Sequence, residues 1–368
     1  MSTQPDLLYS EEEEALRSAV RDLLADHCDA PTVLARVESD EPHDRALWKN
    51  LAENMGLAGL LVPEERGGQG ASHREAAVVL EELGRAVAPV PYLTSAVIAT
   101  EALLACDTDE AGTLLASLAS GRTVGALAVP LSATAGQDLR DVRAADAALT
   151  GRVTAVADAA TADVFLVPTQ GGLFAVDATA AGVAVEPQTS FDRTRPLAAV
   201  TFDGAPGRLL ADNAAPAVRR ALRAGAGLLV SEQLGLADWL LTETVRYTRE
   251  RNQFNRPVGS FQALKHRLAQ LWLEVVNTRA VARNAADALA TAADDTDVAV
   301  AVAQAYAAPV AVRAAEEALQ LHGGIGMTWE HPIHLYLKRA KADSIALGTA
   351  GRHREELAEL VDLRAPSA

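Results

Sequence analysis

Two short stretches of this chain carry side chains suited to gripping a phosphorylated ligand. The first is YTRERNQFNRPVGSFQALKHRLAQL, residues 247–271, with Arg246 just ahead of it. It gathers Arg246, Arg249, Arg251, Arg256, Lys265, His266 and Arg267 inside an otherwise acidic protein. Arg251 falls where a helix should end, before Pro257 and Gly259. Arginine offers paired donors that match phosphate oxygens, although cations at a helix C-terminus also neutralise its dipole. The second stretch is ALQLHGGIGMTWEHP, residues 318–332. Gly323, Gly324 and Gly326 follow a long helical pattern there. Glycine lets a backbone approach a ligand closely, although it also ends helices. Gln320, one turn earlier, has an amide to offer a nucleotide.

Other chemistries find little support. Gly225-Ala226-Gly227 mimics the start of a dinucleotide fingerprint, but the charged, helical AVRRALRA precedes it instead of a buried strand. His331 and His334 in HPIH are two ligands without an obvious third, whereas a catalytic zinc generally needs three. No serine sits in a GxSxG elbow, and neither cysteine has a basic neighbourhood. The GGQG of LVPEERGGQGAS lacks a preceding strand with phosphate-loop spacing and reads as a turn.

Composition narrows the field further. The 368 residues are 49% hydrophobic but only 4% aromatic, which favours helix packed on helix. A net charge of −16 repels phosphate backbones and argues against nucleic acid as a partner. Cys28 and Cys106 lie far apart, so a disulfide framework is not expected and a cytoplasmic setting fits. The acidic N-terminus lacks the basic and apolar regions of a secretory signal. The apolar run 298–312 is shorter than a membrane span and reads as a buried helix, so no membrane association is expected.

The elements that must position these residues fall into three blocks. Residues 1–122 carry helical periodicity, beginning with Ser10 as a candidate N-cap and Glu13 completing a capping box. Residues 123–210 hold short β-branched runs separated by Gly, Asp and Thr, which predicts an antiparallel β domain. Residues 211–368 return to long amphipathic helices. The expected fold is mainly α with a middle β domain.

Together these stretches resemble the acyl-CoA dehydrogenase family over essentially the whole chain. The resemblance rests on MGLAGLLVPEERGGQG, the R-x-Q-F…P…F-Q…L-A block, Q-x-H-G-G-x-G, and the I-x-x-G-T ending at Ile345, Gly348 and Thr349. It implies an N-terminal helical domain, a middle β domain and a C-terminal four-helix bundle, with FAD as cofactor. Members remove the α-hydrogen of an acyl-CoA as a proton and pass the β-hydrogen as hydride to the flavin. A carboxylate acts as base on a thioester polarised towards its enolate.

Position by position, the resemblance assigns Arg251, Phe254, Gln262, Gln320, Gly323, Gly324 and Thr349 to cofactor binding, reaching into a neighbouring subunit's flavin site. It assigns the base to Leu347, which has nothing to titrate. The earlier-helix position used by some members falls at Gly225 and Ala226, and Glu232 stands two turns beyond it as a weak alternative. The family's Thr-Glu…Gly-Ser-Asp segment and hairpin tryptophan are replaced by AVPLSATAGQDL and LTGRVTAVADAATADVF. The losses fall on the base and the ring side, while residues serving a neighbour's cofactor persist. The implied role is the non-catalytic subunit of a heteromeric enzyme, beside a paralogous catalytic subunit, an acyl-CoA substrate and an electron-transfer flavoprotein or similar acceptor. Heterotetrameric members of this layout act on steroid-derived CoA thioesters. A self-sufficient homo-oligomer and a non-redox acyl-CoA-binding scaffold are the alternatives.

Overall fold

The computed structural model describes residues 7–137, 139 and 141–363. The capping box forms as the sequence encodes it. Ser10 Oγ accepts the Glu13 N–H at 3.1 Å, and the Glu13 carboxylate accepts the Ser10 N–H at 2.6 Å, starting α1 (Glu11–His27). Helices α2 (Ala30–Glu38), α3 (Arg45–Lys49), α4 (His73–Ala86), α5 (Thr100–Leu104) and α6 (Asp109–Ala119) follow. The wholly buried stretch Tyr92–Ala99 is a π-helical run leading into α5. LVPEERGGQGAS is a turn, with Gly67 and Gly70 at positive φ.

Eight strands then form one sheet. They are β1 (Gly125–Leu127), β2 (Val142–Ala145), β3 (Ala148–Ala157), β4 (Val164–Thr169), β5 (Gly172–Asp177), β6 (Val183–Gln188), β7 (Leu197–Pro206) and β8 (Arg208–Ala211). The order is β6-β7-β3-β2-β4-β5-β8, with β1 paired to β4. The pairing is antiparallel except that β1 and one residue of β2 run parallel to β4. Strand periodicity reveals faces, not partners, so the sequence carried no signal for that parallel addition. The sheet has its own core, in which Phe165 and Phe202 meet edge to face at 6.1 Å.

The C-terminal helices are α7 (Ala214–Glu250), α8 (Gln262–Thr291), α9 (Thr296–His322), α10 (Ile333–Asp343) and α11 (Ala350–Leu360). A hairpin of β9 (Asn252–Gln253) and β10 (Arg256–Pro257) links α7 to α8. Thr296–Met327 is apolar and long enough to cross a membrane by length and composition, yet most of it is buried among the other helices. One apolar core runs through both the N-terminal helices and the C-terminal ones. The two groups meet where α4 crosses α7. A Cβ on Gly84 would stand 2.2 Å from the Glu232 carbonyl oxygen, and one on Gly235 1.9 Å from that of Glu81. This reciprocal pair of glycines lets the backbones touch.

Candidate functional site

The residue at the family's base position is fixed in an unusual way. Leu347 has φ +55°, is 2% exposed, and donates its N–H to the Leu131 carbonyl at 2.7 Å. Its own carbonyl accepts from His353 Nε2 at 3.0 Å. A Cβ on Gly225 would lie 3.2 Å from Leu347 Cδ1 and 2.8 Å from Ile98 Cγ1. The two positions to which the resemblance assigns a base therefore face one another, and both are apolar.

Glu232 is no substitute. Its Oε1 is 2.5 Å from Arg339 Nη1, and its Oε2 is 2.6 Å from Arg195 Nη2, all three side chains being buried. Burial pushes the Glu232 carboxyl up, but the Arg195 and Arg339 guanidiniums outweigh it and hold it below the usual range. Arg339 Nε also donates to Asp192 Oδ2 at 2.6 Å, and Arg195 Nη1 to Asp343 Oδ1 at 2.8 Å. Burial, and then the charge of Glu232, push Asp343 well above its ordinary value. Two guanidiniums thus face the carboxyl groups of Glu232, Asp192 and Asp343. Asp192, Arg195, Arg339 and Asp343 were missed in the sequence; the available signal was charge inside FDRTR and LKRAKAD, segments otherwise set among apolar neighbours.

Three cavities flank the segment 134–137. One of about 230 Å³ lies behind Leu347, lined among others by Thr134, Arg223, Asp297, His353 and Glu356. A second, about 350 Å³, is walled by Ser132, Thr134, Gln137, Gly348, Thr349 and Arg352. A third, about 560 Å³, includes Gln137, Gln170, Asn213 and Arg219. Three backbone amides here are committed: Leu131 N–H donates to Ala155, Ala133 to Pro130, and Gln137 to Thr134. Those amides are not left to hold a flavin ring. Thr349 caps α11, accepting the Arg352 N–H at 3.3 Å. Its helix α11 packs near the start of α9, where His353 and Ala301 line one cavity. Gln320 is 19 residues further along α9, about 28 Å at helical rise. Thr349 thus parts company from the other residues assigned to a neighbour's cofactor.

Those others do converge. Arg251 ends α7, is exposed, and among the described residues its guanidinium makes no hydrogen bond or ion pair. Phe254 stands at the hairpin tip with φ +52°, 86% exposed, edge-on to Phe261 at 6.2 Å. Gln262 opens α8 and is exposed, 3.5 Å from His266. Gln320 is exposed, and nothing lies within 4 Å of a Cβ built on Gly323 or Gly324. The Tyr247 ring stacks on His322 at 4.3 Å, joining the end of α7 to the end of α9. An unpaired cation, an exposed aromatic ring and an open glycine backbone suit a nucleotide whose remaining contacts come from another chain. The rest of the basic cluster is partly spent: Arg246 pairs with Glu243 and Glu250, Arg267 with Glu317, and Arg256 lies over Phe261. Of the two histidines in HPIH, His334 stacks on Trp329, whereas His331 turns towards His322.

The profile of the acyl-CoA dehydrogenase N-terminal domain matches residues 10–122, and that of the C-terminal domain residues 215–361. The chain is 37% identical to acyl-CoA dehydrogenase IpdE2 of Mycolicibacterium smegmatis, over 95% of this chain and 98% of that protein. Its fold matches a chain of the ChsE4-ChsE5 complex of Mycobacterium tuberculosis with TM-score 0.88 and 29% identity, covering 98% of this chain and 100% of that one. It matches a chain of the Tcur3481-Tcur3483 steroid ACAD with TM-score 0.85 and 31% identity, covering 96% and 98%.

Proposed function

This chain belongs to the acyl-CoA dehydrogenase family, and on that premise we propose that it is the non-catalytic subunit of a heteromeric, FAD-dependent enzyme. Binding of FAD is a property of the family and of its structural neighbours. The observation that carries the proposal is the buried contact of Leu347 with Gly225, which leaves both base positions without a proton acceptor. A catalytic partner supplies the glutamate and the ring pocket. This chain supplies Arg251 to the phosphates, with Phe254, Gln262, Gln320 and the Gly323–Gly324 backbone along the rest of the dinucleotide. The redox chemistry belongs to the flavin, which takes hydride from the β-carbon of the thioester. Substrates of steroid-CoA type follow from the heteromeric relatives, one of which is described as a steroid enzyme.

Co-expression with a family member that retains the glutamate tests the reading. The complex should hold one flavin per two chains, and this chain purified alone should be colourless. A lone chain carrying full flavin and turning over acyl-CoA overturns it. A non-redox scaffold is separated by Arg251→Ala, which leaves the complex's flavin content unchanged only if this surface does not hold the dinucleotide.

A further inference from the structure

Three elements bring Glu243, His322 and His331 together, residues separated by up to 88 positions in sequence (331 − 243). Glu243 lies on α7, His322 is the last residue of α9, and His331 sits in the turn before α10. Their ligating atoms all lie within 4.8 Å of one another. His322 is the informative member. Its Nδ1 is 2.8 Å from the Ala318 carbonyl, which can only accept, so Nδ1 carries the proton. Nε2 is then a bare lone pair, and it is buried without any hydrogen-bond partner. An unpaired buried acceptor is costly, so such an atom normally has a use.

We propose that Glu243, His322 and His331 bind a divalent transition-metal ion of the zinc class. Two imidazoles and one carboxylate, with a fourth position open to water, are a donor set such an ion takes. Metal–ligand distances of about 2.0–2.2 Å require donor atoms about 3.4 Å apart. The His331 turn therefore closes by about 1.5 Å or less on binding. The bond from Nδ1 of His322 to a carbonyl is the outer-shell contact that orients a ligating imidazole. Arg246 holds both oxygens of Glu243, donating from Nη2 to Oε1 at 2.5 Å and from Nε to Oε2 at 2.9 Å, and also donates to Glu250 at 2.7 Å; it retains Glu250 when the ion takes the remaining lone pairs of Glu243. His331 Nδ1 is touched only at 3.4 Å by the Ile333 amide, a contact weak enough to give up. The ion pins the end of α7 to the end of α9, beneath Arg251 and the Gln320–Gly324 segment.

The test uses the purified full chain, stripped with a chelator and dialysed, titrated with Co2+ and followed by its visible d–d bands, with Zn2+ as competitor. One saturable site per chain is expected, with cobalt displaced by zinc. His331→Gln and Glu243→Gln, both at incompletely buried positions, should each weaken binding by more than about 100-fold while the far-UV spectrum is unchanged. His322→Gln should abolish binding; if that variant does not fold, the other two carry the result. Wild-type affinity in either of those two, or no saturable cobalt signal in the parent chain, overturns the assignment and leaves a water-bridged histidine pair.

Discussion

Leu347 and Gly225 occupy complementary space: the leucine's Cδ1 would come within 3.2 Å of any Cβ placed on the glycine. One lies on the loop before α11, the other in α7, 122 residues apart (347 − 225). A side chain at one position is accommodated by the lack of one at the other. The site is an apolar joint built into the core, backed by the cavity of about 230 Å³.

Restoring the family's glutamate should therefore not restore catalysis. Leu347→Glu replaces an apolar side chain buried against Ile98 and Gly225 with a carboxylate. The cost is about 3 kcal/mol, read as a lower urea midpoint, and the lone chain should remain without dehydrogenase activity. Turnover by the lone variant would contradict the non-catalytic reading of this chain.

Gly235→Ala tests the crossing of α4 and α7. A methyl group 1.9 Å from the Glu81 carbonyl oxygen cannot be relieved by a rotamer change, because both partners are backbone. Loss of more than about 3 kcal/mol, or of soluble protein altogether, is expected. Gly112→Ala is the control, since nothing lies within 4 Å of its Cβ site, and it should stabilise by about 0.5–1 kcal/mol in helix α6.

The buried cluster makes opposite predictions for its two coupled acids. Glu232 is depressed in the folded state, so its contribution is present above its unfolded pKa, about 4.3, and is lost as pH falls through the lower folded value. Glu232→Gln leaves Arg195 and Arg339 undercompensated and should cost about 3–5 kcal/mol at neutral pH. Asp343 is raised in the folded state, so stability is full below its unfolded pKa, about 3.9, and declines as pH climbs through the folded value. Asp343→Asn should flatten that decline and be neutral or stabilising at pH 7. Urea midpoints measured from about pH 2 to pH 8 check both signs.

Arg251→Ala should leave the urea midpoint of this chain within about 0.5 kcal/mol, because the side chain is exposed and unpartnered. In the complex it should weaken flavin retention by about 1.5–3 kcal/mol, or about 10- to 150-fold. Fluorescence of released FAD during dilution measures this directly. An unchanged dissociation constant would show that the nucleotide lies elsewhere.

What the sequence made legible was local. Ser10 and Glu13 are three residues apart, and the capping box they predict is present. The glycine-rich turn at 67–70 and the helix ending at Arg251 were readable for the same reason. The family resemblance supplied the mainly helical fold with its middle sheet. The Glu232 cluster was not readable, because Arg195 is 148 residues from Asp343, and no periodicity relates a loop arginine to a helix aspartate. The displaced-base idea for Glu232 failed on that point, since spacing gave the helix face but not the two arginines waiting there. Motif order gave no distance between Thr349 and Gln320, which lie towards opposite ends of α9. The third neighbour of His331 was hidden likewise, supplied by α7.

The loop carrying Asp192, Thr194 and Arg195 belongs to the sheet, while Glu232, Arg339 and Asp343 belong to helices α7 and α10. Sheet and helices are thus riveted through ionic bonds sealed from solvent, which prevents them from hinging apart. The cavity of about 230 Å³ behind Leu347 is thereby held at a fixed width. Its breadth is then written in the small side chains that wall it, Ala135, Ala226 and Ala301, so that enlarging any one of these should exclude wide ligands before narrow ones.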